Sequence, residues 1–87
     1  MRARELLAWN VRRLRIDRGV SQEKLAADAG IDRTYVSDVE REVRNASVEI
    51  LDRLATTLGV PVAELFRIPE EGEERPTTLP GGRRSPN

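Results

Sequence analysis

Four side chains that can form hydrogen bonds are spaced to lie on one side of a predicted helix. Arg33, Thr34, Ser37 and Asp38 occupy positions i, i+1, i+4 and i+5, and the valines between them face the other way. A guanidinium can donate two parallel hydrogen bonds to guanine O6 and N7, while hydroxyls and carboxylates suit other base edges. The pattern therefore indicates recognition by hydrogen bonding.

The sequence offers no nucleophile–base pair that a motif would identify. The chain has no cysteine and no histidine, so it offers no thiolate, no imidazole base and none of the common zinc ligand sets. No glycine-rich phosphate loop is present either. We therefore expect a protein that is not an enzyme and that needs no metal and no cofactor.

The residues before this face predict how it is positioned. Ser21 is a good N-cap for a helix over 22–29, and Gly30 can adopt the left-handed conformation that ends it. Asp32 then caps the next helix, which carries the polar face. Two short helices joined by a tight turn with glycine form a helix-turn-helix, whose second helix can enter the major groove of DNA. The prediction is double-stranded DNA binding.

The rest of the chain predicts an all-α fold, because no segment shows the alternation of a β-strand. Caps, glycines and apolar spacing place five helices at about Arg4–Arg18, Gln22–Ala29, Arg33–Arg41, Val48–Leu58 and Pro61–Phe66. We expect residues 1–69 to form the DNA-binding domain. Residues 70–87 are rich in Glu, Arg, Pro and Gly, with Leu79 as their one aliphatic side chain, and predict a flexible tail.

Charge and hydropathy limit the possible partners. The 87 residues carry 15 basic and 15 acidic side chains, so DNA binding must come from locally placed arginines. No apolar run could span a bilayer and no signal-peptide pattern opens the chain, which predicts a cytoplasmic, nucleoid-associated protein without a membrane partner. The sequence leaves no room for a ligand-sensing domain after residue 69, so no small-molecule ligand is expected.

Several motifs stand at the spacing of one known family. They are Gly-Val-Ser-Gln-Glu-Lys-Leu-Ala at 19–26, Asp-Arg-Thr-Tyr-Val-Ser at 32–37, Leu-Gly-Val at 58–60 and Glu-Leu-Phe at 64–66. In these motifs the chain resembles the Cro/CI-type (Xre-like) helix-turn-helix regulators. The hexapeptide at 32–37, with the Glu-Arg and Arg-Asn pairs that follow it, is also similar to the controller proteins of restriction–modification systems.

The resemblance implies a five-helix, lambda-repressor-like domain that binds palindromic DNA as a homodimer, with the helix-turn-helix at helices 2 and 3. It also implies an ion pair that joins Arg15 in helix 1 to Glu40 in helix 3. Together with the outward face, it gives nine predicted DNA-binding residues: Gln22, Arg33, Thr34, Tyr35, Ser37, Asp38, Arg41, Arg44 and Asn45.

Two residues depart from the family pattern. Glu42 stands where glycine is usual, in the turn that leaves helix 3, so either the turn differs or a non-glycine residue is strained there. Asp38 replaces the glycine that the controller proteins favour. Its carboxylate would repel phosphates but could accept a hydrogen bond from cytosine N4, or it could pair with Arg33 or Arg41.

Apolar residues near the end of the domain suggest how two copies would meet. Val62, Leu65, Phe66 and Ile68 predict a dimer interface, although two of them could simply close the core. An alternative function is an antitoxin whose tail, 70–87, folds on a toxin.

Three residues of helix 1 are given no direct role in binding. Arg12 and Arg13 are expected on its solvated face. Trp9 is expected to pack on the surface of that helix, with anchoring of a partner as the less favoured alternative.

Overall fold

A computed structural model of the chain describes residues 1–74, and its regular elements in that range are all helical. They are α1 (Ala3–Asp17), α2 (Gln22–Ala29), α3 (Arg33–Glu40), α4 (Val48–Leu58) and a 3-10 helix (Val62–Phe66). Residues 75–87, most of the predicted tail, lie outside the described residues. Within residues 1–74, no helix has both the length and the apolar character needed to cross a bilayer.

The predicted bounds of α2 and α4 agree with the structure, while α1 begins and ends one residue earlier than predicted and α3 ends one residue earlier. The fifth predicted α-helix is instead a 3-10 helix. Pro61 stays extended, with ψ 152°, so the helix begins one residue later. Its hydrogen bonds run from i+3 to i, as in the 2.9 Å bond from Glu64 N to Pro61 O.

The helices enclose one core. α2 packs against α3 and α4, and α1 packs against α3 and the 3-10 helix. The core contains Leu7, Val11, Leu14, Leu25, Ala26, Ala29, Val36, Val39, Leu54, Ala55, Leu58 and Leu65. These residues lie at helical spacing on each element, so packing of the amphipathic faces fixes how the helices cross.

Side-chain caps set the beginnings of α2, α3 and α4. The Ser21 hydroxyl accepts from Lys24 N at 3.0 Å, the Asp32 carboxylate from Thr34 N at 2.7 Å and the Ser47 hydroxyl from Ile50 N at 3.1 Å. Each cap satisfies one amide that has no partner inside its helix. The first turn of α3, which carries the polar face, is therefore fixed by its own sequence.

A buried asparagine that the sequence analysis missed joins α1 to the 3-10 helix. Asn10 has no exposed surface, and its Nδ2 lies 2.8 Å from Arg67 O and 3.2 Å from Leu65 O. These bonds satisfy carbonyls at the end of the 3-10 helix that would otherwise be buried without donors. A signal was present, because Asn10 has the spacing of a core residue: it lies three residues after Leu7 and four before Leu14.

Each α-helix ends in the same hydrogen-bonded motif, and one of the four lacks glycine. At the end of α3, Glu42 N donates to Val39 O at 3.1 Å and Val43 N donates to Asp38 O at 3.0 Å, the two bonds of a Schellman motif. The corresponding left-handed residues after α1, α2 and α4 are Gly19, Gly30 and Gly59. Glu42 has φ 67°, so the turn keeps the glycine geometry with a strained residue in it.

We expect Glu42→Gly to be more stable than Glu42→Ala by about 1 kcal/mol, because both variants lack the carboxylate and only glycine relieves the positive φ. Urea denaturation of the two variants measures the difference. The same pair at Glu49, in the first turn of α4, is the control and should favour alanine. Equal stability of the two residue 42 variants would contradict the strain.

Candidate nucleic-acid interface

The first turn of α3 presents two of the predicted contact residues to solvent. Arg33 and Thr34 are exposed, whereas Val36 and Val39 on the opposite side are buried. Within residues 1–74, Arg33 forms no ion pair. A guanidinium in this position is available to pair with a ligand.

The turn between α2 and α3 is braced from α4. The Arg53 Nη1 atom donates to Gly30 O at 3.1 Å, which satisfies a carbonyl at the end of α2. Because Gly30 adopts φ 72°, α2 can end sharply and Asp32 can start α3 two residues later. The relative direction of the two helices is therefore held both by the turn and by a contact from a third helix.

A buried carboxylate at the end of α3, that of Glu40, joins three helices. Glu40 accepts from Arg15 Nε at 2.7 Å and from Arg15 Nη2 at 3.0 Å, so the structure brings this predicted pair together. Arg12 Nε, from α1, and Gln22 Nε2, from α2, also donate to Glu40, at 3.0 and 3.1 Å. The Glu40 side chain has no exposed surface, and each of its oxygens has at least one donor.

Burial and the surrounding donors act in opposite directions on the pKa of Glu40. Loss of solvent raises it, but hydrogen bonding and attraction from Arg15, and then hydrogen bonds from Gln22 and Arg12, together outweigh burial. The net result is a pKa below the usual value, so Glu40 stays ionised in the folded protein at neutral pH.

Two arginines of α1 that were expected to be solvated are instead structural. Arg12 contacts Glu40, and Arg13 pairs with Glu64 at 2.9 Å and donates to the Asn10 Oδ1 atom at 3.1 Å. The prediction was wrong because helical spacing alone places both residues opposite the core stripe. An arginine side chain is long enough to extend along the helix surface and reach a carboxylate on a neighbouring element.

Gln22 lies at the start of α2, as the DNA-contact prediction requires, but its amide is already engaged. One of its two amide hydrogens is directed to Glu40. The second hydrogen and the amide oxygen remain for other partners. Glu40 thus fixes the orientation of a side chain at the edge of the predicted interface.

Tyr35 and Arg44 form a stacked pair between α3 and α4. The Arg44 Cζ atom lies 4.3 Å from the centroid of the Tyr35 ring, within cation–π distance. The Tyr35 hydroxyl accepts from Ser47 N at 3.2 Å and lies 3.5 Å from Asn45 O. The ring therefore extends from α3 to the start of α4 and contacts Arg44 in the segment that connects these two helices.

Asp38 pairs with two arginines, and neither is Arg33. Its Oδ2 atom lies 3.1 Å from Arg44 Nη2, and its Oδ1 atom lies 3.4 Å from Arg41 Nη1. Of the two partners considered from the sequence, Arg41 is therefore present and Arg33 is not. Arg44 was not anticipated because it lies six residues away, beyond the spacing at which side chains on one helix meet.

The remaining predicted contact residues differ in exposure. Asn45 is exposed in the segment between α3 and α4, while Ser37 is only half-buried on α3. Arg41 is exposed at the end of α3, apart from its contact with Asp38.

The four residues of the predicted dimer interface are divided between core and surface. Leu65 has no exposed surface and closes the core, so it is not available to a partner, and this part of the prediction was wrong. Phe66 packs partly against the core. Val62, the first residue of the 3-10 helix, is 39% exposed, and Ile68, two residues after its end, is 74% exposed, so both leave apolar side chains on the surface. Leu65 therefore belongs to the core, whereas Val62 and Ile68 remain on the surface.

The start of the predicted tail folds back on the domain. The Glu73 carboxylate accepts from Glu70 N at 3.0 Å and from Arg67 Nη2 at 2.8 Å. The Glu70 amide, the Arg67 guanidinium and, more weakly, the Trp9 indole lower the pKa of Glu73 against a small opposing effect of burial. Trp9 itself is half-buried on α1.

Comparisons with known proteins agree with this geometry. The helix-turn-helix family profile matches residues 11–65. A hypothetical transcription factor of Neisseria meningitidis is 44% identical over 68 residues, which cover 78% of this chain and 64% of that protein. The control protein C.BamHI of Bacillus amyloliquefaciens is 40% identical over 64 residues, which cover 72% of this chain and 79% of that protein.

Solved structures show the same arrangement of helices. The crystal structure of the hypothetical transcription factor NHTF from Neisseria superposes with a TM-score of 0.76, at 43% identity, over 78% of each chain. The restriction-modification controller protein C.AhdI from Aeromonas hydrophila superposes with a TM-score of 0.70, also at 43% identity. That match covers 72% of this chain and 96% of the controller protein.

We expect Arg15→Ala to lower the free energy of unfolding by roughly 3 kcal/mol, near the lower end for a broken buried pair, because Arg12 and Gln22 still donate to Glu40. Arg12→Ala removes one bond to the Glu40 carboxylate and a longer one to the Glu40 carbonyl at a partly exposed site, and it should cost less, about 1 kcal/mol. Chemical denaturation measures both. A larger loss in Arg12→Ala would contradict the assignment of Arg15 as the main partner.

The lowered pKa of Glu40 predicts acid sensitivity of the fold. Stability from its ionised form is present above the unfolded value near 4.5 and is lost as the pH falls through the lower folded value. The pKa of Glu73 is also lowered, so its contribution is removed from both proteins that are compared. One is the double variant Glu40→Gln with Glu73→Gln, and the other is the single variant Glu73→Gln. The free energy of unfolding, measured from pH 6 to pH 3, should fall less steeply in the double variant. Parallel curves would contradict the role of Glu40.

Proposed function

The chain belongs to the Xre-type helix-turn-helix family of DNA-binding transcription regulators, and we propose that it acts as a homodimer on a palindromic operator. In this proposal α2 and α3 are the helix-turn-helix, and α3 lies in the major groove. The observation that carries it is the exposed first turn of α3, which presents Arg33 and Thr34. The helix is capped by Asp32, and its opposite side is buried in the core.

Arg33 is the proposed determinant of sequence. It sits in the first turn of α3, the part of a recognition helix that approaches base edges, and its guanidinium matches guanine O6 and N7. Thr34 and Ser37 supply shorter contacts on the same face. Gln22, Tyr35, Arg41, Arg44 and Asn45 are proposed to contact the sugar–phosphate backbone, which positions the protein without selecting sequence.

A second copy supplies the affinity that one small domain lacks. A single domain of this size buries limited DNA surface, whereas two copies on half-sites about one helical turn apart double the contacts. The exposed side chains of Val62 and Ile68 are the proposed centre of the interface, with Phe66 at its edge. The controller protein structures are relatives in which the same helices recur, and this supports control of a restriction–modification operon as one form of the function.

We expect Arg33→Ala to reduce the difference in affinity between the preferred DNA sequence and a random one, and to have a smaller effect on binding to random DNA. Selection from random DNA with the unaltered protein first gives the preferred duplex, and binding to it is then compared with binding to a random duplex. The loss on the preferred duplex should be about 1–3 kcal/mol greater than on the random duplex. Arg41→Ala removes the same charge from the other end of α3 and should weaken both duplexes alike. Equal losses on both duplexes in Arg33→Ala would exclude Arg33 as a base contact.

The double variant Val62→Glu with Ile68→Glu should be monomeric in sedimentation equilibrium at concentrations where the unaltered chain is dimeric, because four carboxylates would face each other across the interface. Val43→Glu with Val48→Glu, at two other exposed valines, is the control and should leave the dimer intact. A dimer that persists in the Val62 and Ile68 variant would place the interface elsewhere.

A further inference from the structure

We infer that Asp38 is a positioning residue for DNA binding: it holds the Arg44 guanidinium against the Tyr35 ring so that its remaining N–H groups can meet a phosphate. This inference rests on the proposed function of Arg44 as a backbone contact. The position of Asp38 on the outward face of α3 would also suit a hydrogen bond to a base. The role inferred here is a different one.

Two contacts fix the guanidinium of Arg44. Its Nη2 atom lies 3.1 Å from the Asp38 Oδ2 atom, and its Cζ atom lies 4.3 Å from the Tyr35 ring centroid. A guanidinium has five N–H donors, so a single bond to Asp38 leaves four for a ligand. The ring covers one face and Asp38 holds one edge, and 38% of the Arg44 side chain is still exposed.

The Tyr35 ring has a second attachment. Its hydroxyl accepts from Ser47 N at 3.2 Å, which ties the ring to the start of α4, next to the segment that carries Arg44. The backbone of Asp38 takes part as well, because its carbonyl accepts from Val43 N at 3.0 Å. Asp38 therefore holds the start of this segment by its main chain and the end of Arg44 by its side chain.

The charge of Asp38 works against this benefit. Its carboxylate is 21% exposed on the helix that faces DNA, and a negative charge within a Debye length of ~8–10 Å repels phosphates. Arg41 and Arg44 share this one carboxylate, so the three side chains together keep one positive charge. Positioning favours binding and repulsion opposes it, and only the positioning effect depends on Arg44.

A double-mutant cycle separates the two effects. Affinity for a random-sequence duplex at 0.1 M salt is measured for the full 87-residue chain, Asp38→Ala, Arg44→Ala and the double variant. We expect Asp38→Ala to weaken binding about threefold in net: losing the ordering of Arg44 should cost about sixfold, within the range for one long side chain at an interface, and losing the repulsion should return about twofold. In the Arg44→Ala background the same change should strengthen binding about twofold, because only the repulsion is then removed.

Asp38→Asn is the matched control, because its amide oxygen can still accept from Arg44 without the charge. It should bind at least as tightly as the unaltered chain. Thermal melting of each variant checks that the fold is retained. The inference is overturned if Asp38→Ala changes the affinity in the same direction with and without Arg44. It is also overturned if Asp38→Asn binds as weakly as Asp38→Ala. A loss confined to a selected operator would instead make Asp38 a base contact.

A measurement without DNA keeps the inference distinct from the proposed function. The NMR resonance of the Arg44 side-chain Nε–Hε group is shifted by the Tyr35 ring current while the stack persists. We expect Asp38→Ala to move it toward the value of a free arginine and Asp38→Asn to leave it in place. An unchanged resonance in Asp38→Ala overturns the positioning role, whereas failure of the proposed function alone would appear as a chain that does not bind DNA.

Discussion

The buried carboxylate of Glu40 is the interaction on which the arrangement of the helices depends. Removing a carboxylate from water costs several kcal/mol, and that cost is offset only if donors surround it. Glu40 receives donors from Arg15 and Arg12 of α1 and from Gln22 of α2, while it lies itself at the end of α3. The full set of bonds forms only when these three helices are in place. The bonds therefore favour this packing of the helices over others that would bury similar apolar area.

This interaction also joins the core to the surface proposed to meet DNA. Gln22, at the start of α2, donates one amide hydrogen to Glu40, so the buried carboxylate orients a side chain of the predicted interface. Arg33 and Thr34 begin the same helix that Glu40 ends. The fold thus holds the backbone of the polar face in position before any ligand arrives, so little backbone conformational entropy is lost on binding.

The segment after α3 combines strain with close restraint. Glu42 keeps a left-handed conformation that glycine adopts at the corresponding position of the other three α-helices. The residues after it are held by the ring and hydroxyl of Tyr35 and by the Asp38 carboxylate. A strained residue persists where the surrounding contacts determine its conformation, and such positions are common at functional sites. Here the segment carries two of the proposed phosphate contacts, Arg44 and Asn45.

Local sequence determined the helices and their turns. Ser21 and Ser47 at the N-caps and Gly30 and Gly59 after the C-termini defined α2 and α4 without reference to the rest of the chain, because capping involves residues only a few positions apart. Tertiary structure decided the partners of the long polar side chains. Arg13 reaches Glu64 across 51 positions, Asn10 reaches the end of the 3-10 helix, and Leu65 turns into the core. Periodicity gives the face on which a side chain starts, whereas its partner depends on which elements pack beside it.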